Sequence, residues 1–506
     1  MKTRTANIDW FIFGTTVTLL LLVCGFLVSS ERGAQWVSWA FSGITGQLGV
    51  VYLWAGIVTI IFLLVVAFGR YGETLLGPLA EPPQFSSLSW ASMLFAAGIG
   101  TAVMYWGAIE WVHYYQAPPF GVEPRSSAAA EWAASYGIFH WSFAGWALYC
   151  LPSLAIAYVY HVKGLSQLRL SIACQGVLGP WAERWPGRVI DLLFMISLIG
   201  AASTGIGLSV PLIAETLTRL TAWPDSFALK VWVMLSGTAL FAISVYLGLE
   251  KGIKRLSLLN TCLVFVFLAF VLIVGPTLFI LKTGTNSIGI VLQNYLRMMT
   301  WTDPVTNSGF VESWTVFYWA WWIALGPFVG MFIAKISRGR TIRHVILGTM
   351  GYGSLGCVLV FVVLGNYALE MQLAGTLDIV DTLNESGGAV AVIDIVMSLP
   401  FSSVVLPLFG IICFVFMATT YDSASYTLAA SASHRLAATE EPATIHRVFW
   451  AFALGALPIA LVYLDGLEPV KTAAVVASLP LLLVYVLLAW SLMRMLGNAA
   501  DLPADD

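Results

Sequence analysis

Long apolar runs separated by short polar connections make up the pattern of this 506-residue chain. A hydrocarbon core of about 30 Å takes about 20 apolar residues of helix, because lipid offers no partner to an exposed backbone amide. The pattern therefore predicts twelve membrane-spanning helices. Their expected ranges are 8–29, 48–68, 87–110, 135–161, 190–215, 227–249, 256–281, 314–336, 345–369, 403–430, 446–464 and 470–493.

Lysine and arginine residues concentrate in alternate connections and at the two ends of the chain. Positively charged connections tend to stay on the cytoplasmic side of a membrane. We therefore expect both termini in the cytoplasm. The longer polar connections, around 282–313 and 372–388, carry amphipathic patches and are expected to form short helices at the membrane interface.

The composition of the chain argues against several classes of protein. Hydrophobic residues make up 59% of the chain and charged residues 10%, far from the balance of a soluble domain. The net charge of −3 comes without a basic or acidic block, so nucleic-acid binding has no support. Six scattered cysteines form no C-x-x-C pair, and no nucleophile–base pattern stands out. We expect neither an enzyme nor a cofactor site.

Two predicted spans interrupt the apolar pattern. Residues 96–101 (AAGIGT) of the third span weaken a helix, which predicts a break, although small residues also serve close helix packing. Residues 419–425 (TTYDSAS) of the tenth span are costly in hydrocarbon unless they face protein, water or an ion. Together they predict a site near the midplane that two halves of the protein share, as in inverted-repeat transporters.

Aromatic residues cover one face of each of two predicted spans. The face of the eighth span contains Trp314, Tyr318, Trp321 and Leu325, and it is widened by Trp319 and Trp322. The face of the fourth span contains Trp141, Trp146 and Tyr149. Ring faces attract a cation that has no N–H to donate, so two such faces suit a quaternary ammonium group. Simple packing or interface anchoring is the alternative.

The segments 314–322 (WTVFYWAWW), 326–332 (GPFVGMF) and 336–343 (ISRGRTIR) closely resemble the signature of betaine/choline/carnitine transporters. The resemblance extends to 139–146 (FHWSFAGW), 248–252 (GLEKG) and 422–425 (DSAS). It covers most of the chain from about residue 85 onward.

This resemblance implies an all-α integral membrane protein with a leucine-transporter-like fold. Two leading helices in 1–86 would precede two inverted five-helix repeats, 87–281 and 314–493, joined by an interfacial segment, 282–313. A short cytoplasmic tail, 494–506, would follow. Members of the family are commonly homotrimers, and we expect the protein in the plasma membrane, the inner membrane of the cell, in contact with lipid.

By resemblance, the trimethylammonium group of the substrate is surrounded by Trp141, Trp146, Tyr149, Trp321 and Trp322. The chain departs from the family at Leu325, where other members have tryptophan or tyrosine, and this change reshapes the box. Trp314 and Tyr318 match a second, outward-facing aromatic site whose role stays open.

The third span bears on the charge of the substrate. Choline-selective members have aspartate where this chain has Ala102, so a zwitterion is favoured, with its carboxylate on backbone amides around Gly98 and Gly100. Segments 106–110 (WGAIE) and 118–124 (PPFGVEP) resemble the carnitine exchanger, whereas 326–332 resembles the betaine branch. Glycine betaine, carnitine and a dimethylsulfonio analogue all remain candidates.

Sodium coupling also follows from the resemblance. The ligands it implies are the hydroxyls of Thr419 and Thr420 and the carbonyls of Ala96, Ile99 and Phe416. The alternative is that both hydroxyls bond to carbonyls one turn earlier in their own helix. Sodium-independent exchangers have an arginine where this chain has Asn260, which favours symport over exchange of the carnitine/γ-butyrobetaine type.

The sequence thus predicts a sodium-driven importer that works by alternating access. A choline transporter and an osmosensor without transport are the other readings. We expect Asp422 to pair within the protein rather than to relay ions, and His113 and His140 to be structural.

Overall fold

The computed structural model describes residues 8–29, 32–78, 81–165, 167, 169–246, 250–434, 436, 441–464 and 467–500. At 244–246, 250–257 and 499–500, only the backbone is described. In this part of the chain the protein is helical throughout, apart from short connections and two isolated bridges, Ile8 with Ser433 and Leu75 with Thr341. The predicted all-α membrane fold is confirmed.

The helices follow one another in short steps. In the first half they are α1 (Trp10–Ser29), α2 (Gly33–Phe68), α3 (Ser87–Ala97), α4 (Thr101–Gln116), α5 (Ser127–His140), α6 (Phe143–Ala157), α7 (Leu170–Ala173), α8 (Gln175–Leu178), α9 (Trp185–Thr221) and α10 (Phe227–Tyr246). In the second half they are α11 (Glu250–Val274), α12 (Thr277–Thr300), α13 (Phe317–Ile336), α14 (Ile342–Val360), α15 (Asn366–Leu373), α16 (Ile379–Ser386), α17 (Gly388–Met397), α18 (Ser402–Ser431), α19 (Thr444–Leu464) and α20 (Leu467–Ala500). Wider π-helical turns cover Tyr158–Val162, Val311–Val316 and Phe361–Gly365, and 3₁₀ turns cover Pro119–Gly121 and Gly179–Glu183.

Among the described residues, nine helical segments are long and apolar enough to cross a membrane, or up to eleven if each of two bent pairs is one span. They correspond to eleven of the predicted ranges. The remaining range, 227–249, overlaps α10, and its last three residues lie outside the described part. Several helices are longer than predicted, most clearly α2, which begins at Gly33 rather than near residue 48.

The connection predicted at the interface is dominated by α12. It follows α11 across a bend of 110° at Gly275 and Pro276, where proline cannot continue the backbone ladder. Its buried residues, among them Ile280, Gly284 and Val291, recur at helical spacing on one face. The helix is therefore amphipathic, as expected, but it is one long helix and not a set of short ones. The other polar connection contains the short α16.

The third span is broken, as the glycines predict. Helices α3 and α4 meet at 59°, and Gly100 between them is fully extended, with φ −156° and ψ 179°. Close packing applies at the same place, because a Cβ on Gly98 would lie 2.6 Å from the Gly353 carbonyl oxygen. The two interpretations of these small residues are thus both correct. The break leaves the first amides of α4 without helical partners.

The fourth span is also interrupted, which the sequence did not predict. α5 ends at His140 and α6 begins at Phe143, because Ser142 leaves the helical region at φ −105° and ψ −135°. Placing Trp141 on a continuous helix with Trp146 and Tyr149 was therefore wrong in its geometry. The tenth span, in contrast, remains one helix, α18, through its polar stretch.

Candidate binding site

The aromatic residues of the fourth and eighth spans meet in the interior of the protein. The ring of Trp322 is perpendicular to that of Trp141, at 85° with centroids 4.9 Å apart. It is also perpendicular to that of Tyr149, at 89° and 5.2 Å. Three rings therefore stand as adjacent walls. We call the set Trp141, Trp146, Tyr149, Trp321 and Trp322 the central cage; all five side chains are buried.

The other two members of the central cage extend these walls. Trp321 stacks on Trp322, with centroids 5.8 Å apart and an interplanar angle of 14°. Trp146 meets Tyr149 edge to face at 5.4 Å. Leu325, on the turn after Trp322, is partly buried and packs against the core. The structure thus brings together the five aromatic residues that the sequence placed in the box.

Each indole of α13 in the central cage is held at its edge. Trp322 donates its N–H to the His140 carbonyl at 3.1 Å, and Trp321 donates to the Ala201 carbonyl at 3.1 Å. Trp141 donates its N–H to Glu110 Oε2 at 3.0 Å. An indole N–H lies in the plane of the ring, so these bonds fix the ring edges and do not themselves cover the π faces.

Two glycines allow the rings of the central cage to pack closely against the backbone of other residues. A Cβ on Gly145 would lie 2.8 Å from Trp322 Nε1, and one on Gly353 would lie 2.3 Å from Trp146 Cδ2. Sequence reasoning singled out Gly98 but neither of these two. Nothing in a single sequence marks a glycine as the one that faces a tryptophan of another helix.

The break in the third span lies beside the tenth span. Thr101, the first residue of α4, donates its hydroxyl to the Cys413 carbonyl of α18 at 3.2 Å. The Cys357 thiol donates to the Gly98 carbonyl at 3.0 Å. Ala102 lies in the first turn of α4 and is partly buried. The amides of this turn and the positive end of the helix dipole favour an anionic group.

The hydroxyls predicted to bind sodium have partners in their own helix. Thr419 and Thr420 both donate to the Phe416 carbonyl, each at 2.9 Å. In the break, the Ala96 carbonyl accepts the Ile99 amide at 3.1 Å. The alternative of local hydrogen bonds therefore describes this structure. A hydroxyl that donates its proton keeps its oxygen lone pairs, so the two threonines can still offer oxygens to a cation.

Glu110 is a central residue that sequence reasoning did not single out. Its carboxylate is fully buried and accepts hydrogen bonds from Tyr114 at 2.6 Å, from Trp141 and from the hydroxyl of Tyr318. His140 lies beside it and bonds to Tyr114 and to Thr315. An acidic residue within an apolar span is a signal that could have identified it. Glu110 positions the Trp141 wall of the central cage.

The two residues predicted to form a second aromatic site have different partners. The ring of Trp314 faces the ammonium of Lys471, which is 4.1 Å from the ring centroid. Tyr318 instead donates to Glu110. Lys471 was also missed by sequence reasoning, although it is a buried lysine in a predicted span.

The remaining polar residues behave as structural groups. Asp422 pairs with Arg447 at 3.1 Å, as expected. His140 is fully buried in the hydrogen bonds described above, and the His113 ring packs 4.8 Å from that of Trp314. No cluster of three or more histidine, cysteine, aspartate or glutamate side chains suited to a metal occurs in the described part of the chain.

Comparison with known proteins gives one consistent result. A family model described as "BCCT, betaine/carnitine/choline family transporter" matches residues 11–501. The chain is 33% identical over 494 residues to a protein of Acinetobacter baumannii named carnitine transporter, covering 96% of this chain and 89% of that one. It is 36% identical over 449 residues to the Escherichia coli (strain K12) protein "Uncharacterized transporter YeaV", covering 87% and 92%.

Proposed function

Because the chain belongs to the betaine/carnitine/choline transporter family, we propose that it imports a quaternary-ammonium zwitterion, carnitine foremost, by symport with sodium. Membership makes the protein a multi-pass transporter of a small quaternary-ammonium compound and not an enzyme, as the sequence predicted. What we propose beyond family membership is which zwitterion is transported, that transport is inward and that sodium is the coupling ion.

The observation that carries the proposal is the central cage. Its walls present π faces at right angles to one another, and their N–H groups are already bonded elsewhere. A trimethylammonium group has no N–H to donate and therefore cannot be stabilised by hydrogen-bond acceptors, as an ordinary ammonium is. Attraction to the faces of aromatic rings stabilises its charge instead. Each face contributes about 0.5–2 kcal/mol, more where water is excluded. Glu110 meets the edge of Trp141, so its carboxylate lies outside the box.

A zwitterion suits the site better than a pure cation. The first turn of α4 supplies backbone amides for a carboxylate, and the neutral Ala102 in that turn adds no competing negative charge. Gly98 and Gly100 flank this end of the site. The name of the Acinetobacter relative supports carnitine among the zwitterions.

Sodium is proposed to bind next to the break of the third span. The proposed ligands are the Ala96, Ile99 and Phe416 carbonyls and the Thr419 and Thr420 hydroxyls. The hydrogen bond between Thr101 and Cys413 supports this position, because it holds the break against the helix that carries both threonines. The neutral Asn260, which donates to the Ile412 carbonyl at 3.1 Å, supports a bound ion over a built-in cation.

The proposal includes the architecture that the family resemblance implies. We propose twelve spans, with two leading helices in 1–86, inverted repeats at 87–281 and 314–493, the interfacial segment 282–313 and the tail 494–506. We further propose a homotrimer in the inner membrane, with cytoplasmic termini. The bend between α3 and α4 and the amphipathic α12 support this arrangement.

Uptake into liposomes tests the proposed function. Purified protein is reconstituted, and uptake of labelled carnitine, glycine betaine and choline is measured with and without an inward sodium gradient, in empty and in preloaded vesicles. We expect carnitine uptake into empty vesicles that follows the sodium gradient. Uptake that needs internal substrate and ignores sodium would make the protein an exchanger, and preferred uptake of choline would refute the zwitterion.

Replacing both Thr419 and Thr420 by alanine tests the sodium site. We expect the sodium concentration for half-maximal uptake to rise about tenfold or more, corresponding to about 1.4 kcal/mol of lost ion binding. Ser425→Ala is the matched control, because Ser425 makes the same kind of bond within α18, to the Asp422 carbonyl at 3.0 Å. An unchanged sodium requirement in the double variant would remove the threonines from the coupling site.

A further inference from the structure

Three indoles of the central cage donate their N–H groups, but the acceptors differ in charge. Trp321 and Trp322 donate to backbone carbonyls. Trp141 donates to a side-chain carboxylate, Glu110 Oε2, at 3.0 Å. A carbonyl acceptor is neutral, whereas an ionised carboxylate carries a full negative charge and makes a stronger bond. One wall of the cage is therefore bonded to an acidic group, and the two walls on α13 are not.

The hydrogen bonds around Glu110 all run toward its carboxylate. The hydroxyls of Tyr114 and Tyr318 and the N–H of Trp141 donate to its two oxygens. Such donors stabilise the charge of a carboxylate. In the described part of the chain, the cationic or titratable group within ion-pair distance of Glu110 is His140, whose Nδ1 is 3.6 Å from Oε1.

The hydrogen bonds of His140 are satisfied by a neutral ring. Tyr114 gives its hydroxyl proton to Glu110, so His140 Nδ1, which is 3.0 Å from that hydroxyl oxygen, is assigned as the donor to it. His140 Nε2 lies 3.1 Å from the Thr315 hydroxyl and can accept its proton. An imidazole that donates at one nitrogen and accepts at the other is neutral. The contacts of His140 thus leave the negative charge of Glu110 in place.

We propose that Glu110 is a specificity-determining residue, whose charge acts through Trp141 on the cationic end of the substrate. A charged acceptor at the N–H polarises the indole, which makes the ring face more attractive to a cation. The Trp141 wall then attracts a quaternary ammonium more strongly than the walls of Trp321 and Trp322. The inference rests on the proposed function, because it needs the substrate cation in the central cage.

Helix α4 carries groups that suit both ends of a zwitterion. Its first turn, which begins at Thr101, supplies the amides proposed for the substrate carboxylate. Glu110 lies nine residues further along the same helix, a rise of about 13 Å. The positive end of the helix dipole and the negative side chain are therefore separated along α4, in the sense that a zwitterion requires.

Glu110→Gln tests the charge with little change of shape. The glutamine oxygen can still accept the Trp141 N–H, and the two tyrosine hydroxyls can rotate to accept from its amide. Carnitine and its isostere with tert-butyl in place of trimethylammonium are titrated by calorimetry on the native protein and on the variant. We expect the preference for carnitine to fall about fivefold in the variant, because the uncharged isostere does not respond to the charge.

Glu215→Gln is the matched control. Glu215 is also a buried carboxylate, and it lies 14 residues beyond Ala201 of the central cage, about 21 Å along α9. This variant should keep the native preference. Equal losses of affinity for carnitine and isostere in Glu110→Gln would overturn the proposal, because Glu110 would then only hold Trp141 in place. Unchanged affinity for both ligands would overturn it as well.

If Glu110→Gln does not fold, as judged by size exclusion and a cooperative thermal transition, two wall variants replace it. Trp141→Phe and Trp322→Phe each exchange an indole for a phenyl ring, but only the first separates a ring from a carboxylate. The preference for carnitine should fall at least about threefold more in Trp141→Phe, and equal falls would overturn the proposal. Failure of the proposed function has a different signature, because the native protein would then take up no carnitine or bind it no better than the isostere.

Discussion

The central cage and a second aromatic group, Trp314, Phe317 and Phe41 around the Lys471 ammonium, which we call the outer cage, consist of the same kind of side chain but differ in what lies against their rings. In the central cage the indole N–H groups of Trp141, Trp321 and Trp322 are bonded to fixed acceptors, so the edges of these rings are held in place. In the outer cage the faces of Trp314 and Phe317 are covered by Lys471. A set of aromatic residues is therefore not by itself a binding site.

The surroundings of the two cages differ in charge as well. The central cage lies near the neutral first turn of α4, which offers amides, whereas the cavity at the outer cage is lined by Glu312 and Glu468. We propose that ring faces bind the cationic end of the substrate in the central cage and that the amides of the α4 turn favour a zwitterion there.

The largest effect is expected when the central cage loses a wall. Trp322→Ala should lower carnitine uptake about 100-fold or more, because truncating a buried aromatic anchor costs about 3–4 kcal/mol of binding. Trp314→Ala should lower uptake per folded protein less than about fivefold. Trp314 is not a wall of the central cage, and truncating a residue outside the main contacts with a ligand usually changes the binding free energy little. Rates are measured in liposomes and divided by the amount of folded protein.

Equal losses of uptake in the two tryptophan variants would contradict the distinction between the two cages, because both would then contribute to transport of the substrate. Trp39→Ala is the control for loss of an indole as such, since 68% of Trp39 is exposed at the surface of α2. Its uptake should match that of the native protein.

A smaller loss is expected from crowding the central cage. A Cβ on Gly353 would lie 2.3 Å from two atoms of the Trp146 ring, so Gly353→Ala must displace that wall. Overpacking costs about 1–3 kcal/mol, which corresponds to roughly 30-fold lower uptake at its midpoint. Gly351→Ala is the matched control in the same helix, because its Cβ would meet no atom within 4 Å. Similar uptake by both variants would show that the position of Trp146 does not matter.

The smallest effect is expected from making the central cage resemble the outer one in charge. Ala102→Asp adds a carboxylate to the first turn of α4 and should lower carnitine uptake about fivefold, since charges near a surface interact by about a few kcal/mol before screening. Choline uptake should rise relative to carnitine. Ala102→Asn has the same size without the charge and should leave the preference unchanged. If both variants shift the preference equally, size and not charge is responsible.

The sequence predicted what depends on local composition. Apolar runs are sufficient to locate the membrane-spanning helices. The small residues at 96–101 predict the break because they lower the stability of the helix that contains them, whatever packs against it. The polar stretch of α18 has the opposite outcome. Thr419 and Thr420 satisfy their hydroxyls on the Phe416 carbonyl one turn earlier, so the helix continues. Polarity alone does not break a helix if its side chains bond locally.

The meeting of the aromatic faces of the fourth and eighth spans was predicted, with the help of the family resemblance, but other features that depend on contacts between distant segments were not. The break at Trp141 and Ser142 has no glycine or proline to mark it. Glu110 and Lys471 belong to different ends of the chain, and their partners come from the fourth, eighth and second spans. A single sequence shows that such a charge is costly in a span but does not show which groups compensate it.

The central claim is that the positive charge of the substrate, and not only its shape, is recognised by the central cage. It is tested most directly by titrating the native protein with carnitine and with its carbon isostere, in which tert-butyl replaces trimethylammonium. We predict that the isostere binds roughly 30-fold more weakly, corresponding to about 2 kcal/mol of cation–π attraction in a desolvated site. Binding of the isostere within about threefold of carnitine, less than about 1 kcal/mol apart, would contradict the claim.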